Sequence, residues 1–377
     1  MEGKALRTLT LQTLEDILLG CAVLGTGGGG SLTKGLEMVR ADAAAAKRVR
    51  LASIDELPAD ALVLSPYFAG SISPLSPEQI AAYKDLPRVT ELESIIAARA
   101  LAEYLGQQVG AVISTELGGG NTASALTAAA NLDVPIVDGD PAGRSVPELI
   151  HSTFYLSGVS ITPMAVANQF GDVAIIKKVV NDFRAESLVR AMAVASQNKM
   201  GVADHPVRAG RLKGAVVDGA ISHAEKIGAA IHEARAKGAD PVEAVRKAGG
   251  GFRLFRGVVT RATWKDEAGF TLGEVRLKGT DEWAGSEYLV WYKNEHMASW
   301  RDGRPDATVP DLICLLDAKN GQPLINPEVT EGAAVAVVGF PAPAAWRNER
   351  GLAIFGPKYA GVDREYVPIE NSRPDGR

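Results

Sequence analysis

At 377 residues the chain exceeds the usual span of a single hydrophobic core, and two domains are expected. With 46% hydrophobic and 23% charged residues it has the composition of a globular protein, which excludes a disordered chain. A net charge of −5, drawn from 45 acids and 40 bases with no long basic run, excludes a nucleic-acid duplex as partner.

The N-terminal stretch MEGKALRTLTLQTLEDILLG is too short in apolar residues, and too interrupted by Glu15 and Asp16, for a signal peptide or a membrane span, so the cytoplasm is the expected location. Cys21 and Cys314 stand in different halves of the chain, the usage of a reducing compartment. Thr10 is placed to cap a helix over Leu11–Leu24, where Leu11, Leu14, Ile17, Leu18 and Cys21 recur at helical spacing. The glycine run Gly25–Gly30 ends it, and Ser31 is placed to cap a second helix carrying Leu32, Leu36 and Val39. Ala61–Ser65 reads as a short buried strand, Pro66, Pro74 and Pro77 mark a long loop, and Glu91–Leu105 reads as another helix. Next come a strand over Val109–Thr115, an Ala-rich helix over Thr122–Asn131 and a strand over Val134–Asp138, a βαβ unit with parallel strands. Ligands of open α/β sheets bind beyond the carboxyl ends of the strands, and that edge carries Glu116–Asn121 and Asp138–Arg144.

Past residue 170 the pattern changes: Val173–Val180 is strand-like, and helices are expected over Phe183–Asn198 with Asp182 as cap, Ala224–Lys237 and Pro241–Ala248. Strands then dominate, over Phe252–Thr263, Phe270–Leu277, Tyr288–Trp300, Leu312–Leu316 and Ala333–Val338. The expected architecture is an N-terminal α/β domain with a largely parallel or mixed sheet over residues 1–170, and a β-rich C-terminal domain with flanking helices over 171–377.

Three loops can carry chemistry. Gly25-Thr-Gly27-Gly28-Gly29-Gly30 follows a helix rather than a strand and has no lysine at Ser31, so it is neither a dinucleotide fingerprint nor a Walker loop. Its bare N–H groups before a helix can instead receive an anion or a developing oxyanion. Glu116-Leu-Gly118-Gly119-Gly120-Asn121 repeats that design at a strand end, where partial burial of Glu116 raises its pKa toward proton transfer. Asp138-Gly-Asp140 sets two carboxylates on one side of an extended chain, able to hold a divalent metal or to share acid and base work, with ordinary turn chemistry as the plainer alternative. Arg144 can clamp a ligand carbonyl or anion.

The remaining candidates have ready structural explanations. Ser145-Val-Pro-Glu148 is a capping box that would open a helix, with His151 one turn on from Glu148. His223 and His232 turn to opposite faces of one helix and make a poor zinc pair, and Cys21 fits a buried small hydrophobe. Asn294-Glu295-His296 interrupts the alternation of its strand and can reach across the domain junction.

As a set, LGTGGGGS at Leu24–Ser31, ELGGGNT at Glu116–Thr122, PIVDGDPAGRSVPEL at Pro135–Leu149, NEHMASW at Asn294–Trp300, PDLICLLD at Pro310–Asp317 and FGPKYAGVD at Phe355–Asp363 resemble the DUF917, S-methyl thiohydantoin desulfurase-like family, in the same order over nearly the whole chain. The resemblance implies an N-terminal α/β and a C-terminal β-rich domain. It also implies a hydrolase acting on a hydantoin-like five-membered ring, in which water replaces the methylthio group and gives hydantoin and methanethiol. On that reading Glu116, Asp138 and Asp140 are the catalytic candidates, while Gly27–Gly30, Gly119, Gly120, Asn121, Arg144, Glu148, Asn294 and Glu295 are candidates for binding the cyclic amide or thiohydantoin. Two alternatives stay open, a metal-dependent cyclic amidohydrolase with Asp138 and Asp140 as ligands and a non-catalytic accessory subunit of a hydantoinase or oxoprolinase system. A homo-oligomer and a partner of hydantoinase type are compatible with each of these readings.

Overall fold

The structure, a computed structural model, describes residues 6–70 and 77–372. Its strands through the first half are β1 (Arg7–Thr8), β2 (Arg50–Ala52), β3 (Leu62–Gly70), β4 (Val109–Val112), β5 (Ile136–Val137), β6 (Gly139–Asp140), β7 (Met164–Ala167), β8 (Val173–Ile176), β9 (Lys199–Arg208) and β10 (Val217–Asp218). Eight of them form one mixed sheet in the order β1-β2-β5-β4-β3-β9-β7-β8, while β6 and β10 make a separate ribbon. Strands β2, β5, β4 and β3 run parallel, and the rest of the sheet is antiparallel. The expected βαβ unit is present as β4, a helix over Asn121–Leu132, and β5. The boundary expected near Gly171 falls inside this sheet, because β8 and β9 follow it in sequence and pair with β7 and β3.

A second sheet is wholly antiparallel: β11 (Phe252–Glu267), β12 (Phe270–Gly279), β13 (Glu287–Lys293), β14 (Glu295–Arg301), β15 (Arg304–Thr308), β16 (Leu312–Asp317) and β17 (Ala334–Phe340), in the order β15-β14-β13-β12-β11-β17-β16. The segment expected as one strand from Tyr288 to Trp300 is therefore two, folded back at Asn294 in the left-handed conformation (φ 57°), which Asn tolerates better than most residues. The three polar residues that break the alternation mark this turn.

The helices are α1 (Leu11–Leu24), α2 (Leu32–Ala44), α3 (Pro77–Ala82), α4 (Glu93–Leu105), α5 (Asn121–Leu132), α6 (Thr153–Leu156), α7 (Asp182–Val194), α8 (Ala220–Lys237), α9 (Pro241–Gly249) and α10 (Glu349–Phe355). Thr10 and Ser31 cap α1 and α2 as their sequences predict, whereas α7 is capped by Asn181 rather than Asp182. Its C-terminal half apolar all round, α1 belongs in an interior. It packs there against α8 at backbone contact: a Cβ on Gly20 would lie 1.8 Å from Ala224 O, and one on Gly228 1.9 Å from Asp16 O. One continuous core takes in α1, α5 and α8 together with Leu312, Cys314 and Leu316 of β16, and so joins the two sheets. Among the described residues no helix is long and apolar enough to cross a membrane.

Two local expectations are corrected. Pro66 is no loop marker but lies within β3 opposite Ala203, and Pro77 opens α3; Pro74 lies outside the described residues. Ser145–Glu148 starts no helix: the Leu149 N–H, which would close the first turn on Ser145 O, donates to Glu186 Oε2, and Val146 N–H donates to Glu116 Oε2.

Candidate functional site

The three loops meet. Gly29 O accepts from the N–H groups of Gly120 and Asn121 (2.9 and 3.1 Å), Leu117 N–H donates to Arg144 O (3.2 Å), and Val146 N–H reaches Glu116 Oε2 (2.8 Å). Glycine is what allows this approach, since a Cβ on Gly118 would fall 2.3 Å from Gly29 Cα and one on Gly119 2.6 Å from Leu32 Cα. Gly119 and Gly120 therefore serve contact between the loops, the Gly120 N–H being spent on Gly29. In the first loop the N–H groups of Gly25 and Thr26 donate back to Cys21 O and Val23 O of α1 and that of Gly28 to Gly25 O, and no backbone bond among the described residues uses the N–H of Gly27, Gly29 or Gly30. Two surface hollows, one beside Gln107 and Arg208 and one beside Glu243 and Trp283, lie away from these loops.

Two buried carboxylates bracket Ser145 and Val146. Glu116 follows β4 and is held through both oxygens, accepting from Asn121 Nδ2 (2.8 Å) and Val146 N–H. Burial raises its pKa, and those two donors, which favour the charged form, pull it back. Glu295 opens β14 and arrives from the other domain to lie against Gly28. Its Oε1 accepts from Ser145 Oγ (3.0 Å), while its buried Oε2 has no hydrogen-bond partner. Burial and the charge of Glu116 push Glu295 up to about 8. The two donors on Glu116 favour its charged form, whereas Glu295, with one, is the more readily protonated of the pair. Gly28, Gly30, Gly120, Asn121 and Val146, all partly exposed, rim the pair.

The aspartates do not act together. Asp138 caps α8 from outside the helix, accepting from Ser222 N–H (2.9 Å) and Ser222 Oγ (2.6 Å). Asp140 is fully buried, accepts from Gly143 N–H (2.7 Å) through Oδ1 and leaves Oδ2 unpaired; burial, and then the charge of Glu116, raise its pKa. Of the two aspartates expected as a metal pair, Asp138 is hydrogen-bonded at a helix end, and the described residues contain no group of three His, Cys, Asp or Glu side chains suited to a metal ion.

Arg144 is no clamp for a ligand either. All five of its N–H donors are used inside the protein: Nε on Ser145 O (3.0 Å), Nη1 on Pro310 O and Asp311 O (3.1 and 3.0 Å), Nη2 on Thr26 Oγ1 and His296 O (2.9 and 3.2 Å). It is wholly buried, which lowers its pKa to about 10, and it ties the glycine loop to the C-terminal domain. Glu148 pairs with Lys293 and accepts from Tyr359 OH (3.0 Å) across the junction, and Asn294 Oδ1 accepts from Thr271 N–H (2.9 Å) within the second sheet, so both are engaged inside the protein rather than by a ligand. His151 is buried against Phe355 and Tyr359, and burial lowers it to about 3; burial likewise pushes the Cys21 thiol up to about 12.

Reading the sequence missed Ser145 as the donor to Glu295, and a buried array beneath α7. There Tyr67 OH donates to Asp204 Oδ2 (2.8 Å), and Asp204 Oδ1 bonds His205 Nδ1 (2.8 Å), with His205 stacked on Phe154. The adjacent acid and histidine in VADHPV were the available signal.

The N-terminal domain model of the S-Me-THD-like family matches residues 12–178 and its C-terminal domain model residues 180–369. The chain belongs to the S-Me-THD-like family. A crystal structure of a protein from Chromobacterium violaceum is similar at 24% sequence identity and a TM-score of 0.75, over 96% of this chain and 100% of that one, a likeness of fold. Among curated proteins none matches.

Proposed function

We propose that the chain is a hydrolase of hydantoin-like five-membered rings that replaces the methylthio group of an S-methyl thiohydantoin by water, giving the hydantoin and methanethiol. The observation that supports this reading is a pair of carboxyl groups, Glu116 with two donors and Glu295 with one, buried together where the domains meet. Attack of water on the ring carbon bearing sulfur needs a base for the water and an acid for the ring nitrogen. Glu116 takes one proton from water as the C–O bond forms, and Glu295 gives its proton to the ring nitrogen, which receives the electron pair of the C=N bond. The C–S bond then breaks, Glu116 passes its proton to the departing sulfur, and the new hydroxyl returns a proton to Glu295 as the carbonyl forms. Both acids end as they began, and the N–H groups of Gly27, Gly29 and Gly30 are the donors available to developing negative charge.

The test is methanethiol release from an S-methyl thiohydantoin by the full chain, with and without chelator, and by Glu116→Gln, which keeps shape and removes basicity. Loss of the base is expected to lower turnover by about 10²–10⁴-fold. Turnover near wild type in that variant eliminates Glu116, and no release by the wild-type protein overturns the reading.

A further inference from the structure

Glu295 Oε2 is buried without a partner, while Oε1 is satisfied by Ser145. A buried polar atom left unmatched in the protein is destabilising unless something else bonds it. Nearby, Glu116 has two donors but four lone-pair positions, so it can accept once more. The pair thus offers one donor and one acceptor on opposite sides of Ser145 and Val146.

We propose, resting on the hydrolase reading for the location of the ring, that Glu295 and Glu116 read a cis N–H/C=O edge of a cyclic amide: Glu295 Oε2–H donates to the ring carbonyl and Glu116 accepts from the adjacent ring N–H. Methylation of that nitrogen leaves Glu116 facing a methyl group. Recognition requires Glu295 to be protonated. Of the groups around it, His296 is neutral because burial lowers it to about 4, Arg144 stays charged to about 10, burial holds Tyr359 far above the usual phenol range, and burial raises Glu116 while the donors Asn121 and Val146 favour its charged form. Glu295 is then the group whose loss of a proton, near about 8, removes the donor.

The experiment is calorimetric titration of the full chain with hydantoin, 1-methylhydantoin and 3-methylhydantoin at pH values on either side of about 8. Hydantoin is expected to bind on the acid side, with at least one N-methyl isomer weaker by about tenfold to a hundredfold, and to weaken by a similar factor on the alkaline side. Glu295→Gln keeps an N–H donor but cannot ionise, so it should retain binding and lose the pH dependence. Equal binding of all three rings, no hydantoin binding by wild type, or an unchanged pH dependence in Glu295→Gln overturns the proposal; the wild-type comparisons decide it even if the variant misfolds. Edge-selective binding without methanethiol release would overturn the hydrolase reading alone, and release without discrimination between the rings would overturn edge recognition alone.

Discussion

Gly28→Ala isolates the placement of Glu295 from everything else in the fold. The Cβ it adds would lie 1.9 Å from Glu295 Oε1 and 2.6 Å from its Cδ, so the carboxylate must retreat by about 1.5 Å to reach ordinary contact at 3.4 Å. Unlike Gly27, Gly29 and Gly30, Gly28 does not have a positive φ, and its backbone accepts alanine without strain of that kind. A misplacement of about 1 Å in a reacting group can cost about a hundredfold in rate. The energetic side is smaller: alanine gains about 0.4–1 kcal/mol through the unfolded chain, against about 1–3 kcal/mol for repacking a tight contact. Gly28→Ala should therefore lose about two orders of magnitude in methanethiol release while its urea midpoint shifts by no more than about 2 kcal/mol of stability. Wild-type turnover in a folded Gly28→Ala protein would refute the placement of Glu295 at the reacting centre, and a loss of rate that only tracks loss of folded protein would refute the mechanism of the effect.

Three further outcomes follow from the same contacts. Arg144→Lys removes a fork whose five bonds satisfy buried acceptors, and should cost more than about 4 kcal/mol in urea unfolding; a loss below about 1 kcal/mol would show that the acceptors find other partners. Asp138→Ala uncaps α8 and should cost about 1–2 kcal/mol in the same assay, with no change in the metal content of the purified protein by mass spectrometry. Because Glu295 is raised from 4.5 to about 8, the folded state keeps a proton that the unfolded chain releases between those values. Its contribution to stability is thus full below pH 4.5 and falls as pH rises to about 8, a slope that Glu295→Gln should remove from a series of unfolding curves.

The parts legible in the sequence are those that short-range rules decide. Thr10 and Ser31 as caps, α1 and the βαβ unit β4-α5-β5 follow from spacing and capping chemistry alone, and the strand ends put Glu116 on the right edge. What failed did so where a distant residue took a local bond. Ser145–Glu148 has the composition of a helix start, but the Leu149 N–H that would close its first turn goes to Glu186, 37 residues away. Arg144 has the chemistry of a ligand clamp, yet its partners at Thr26, His296, Pro310 and Asp311 spread over the whole chain and could not be foreseen from spacing. The glycine runs were read as open cradles; two of the second run, Gly118 and Gly119, are needed because another backbone occupies the space their side chains would fill.

That same long-range bonding explains why the acids can differ in charge while sharing one interior. Glu116 is held by a side chain and an N–H from its own domain, so its charged form is supported before any ligand arrives. Glu295 is delivered by the turn at Asn294, which is fixed by Thr271 N–H and by Asn326 Nδ2 on its carbonyl, and Arg144 pins His296 O next in sequence. The turn brings the carboxyl to Gly28 but brings only one donor with it, Ser145, from the opposite domain. Glu116 has two donors from its own domain and Glu295 only Ser145 from across the junction, so the pair is made unequal by hydrogen bonding rather than by residue type. The C-terminal domain does not set Glu295 by itself, because after burial it is the charge of Glu116, across the junction, that raises it.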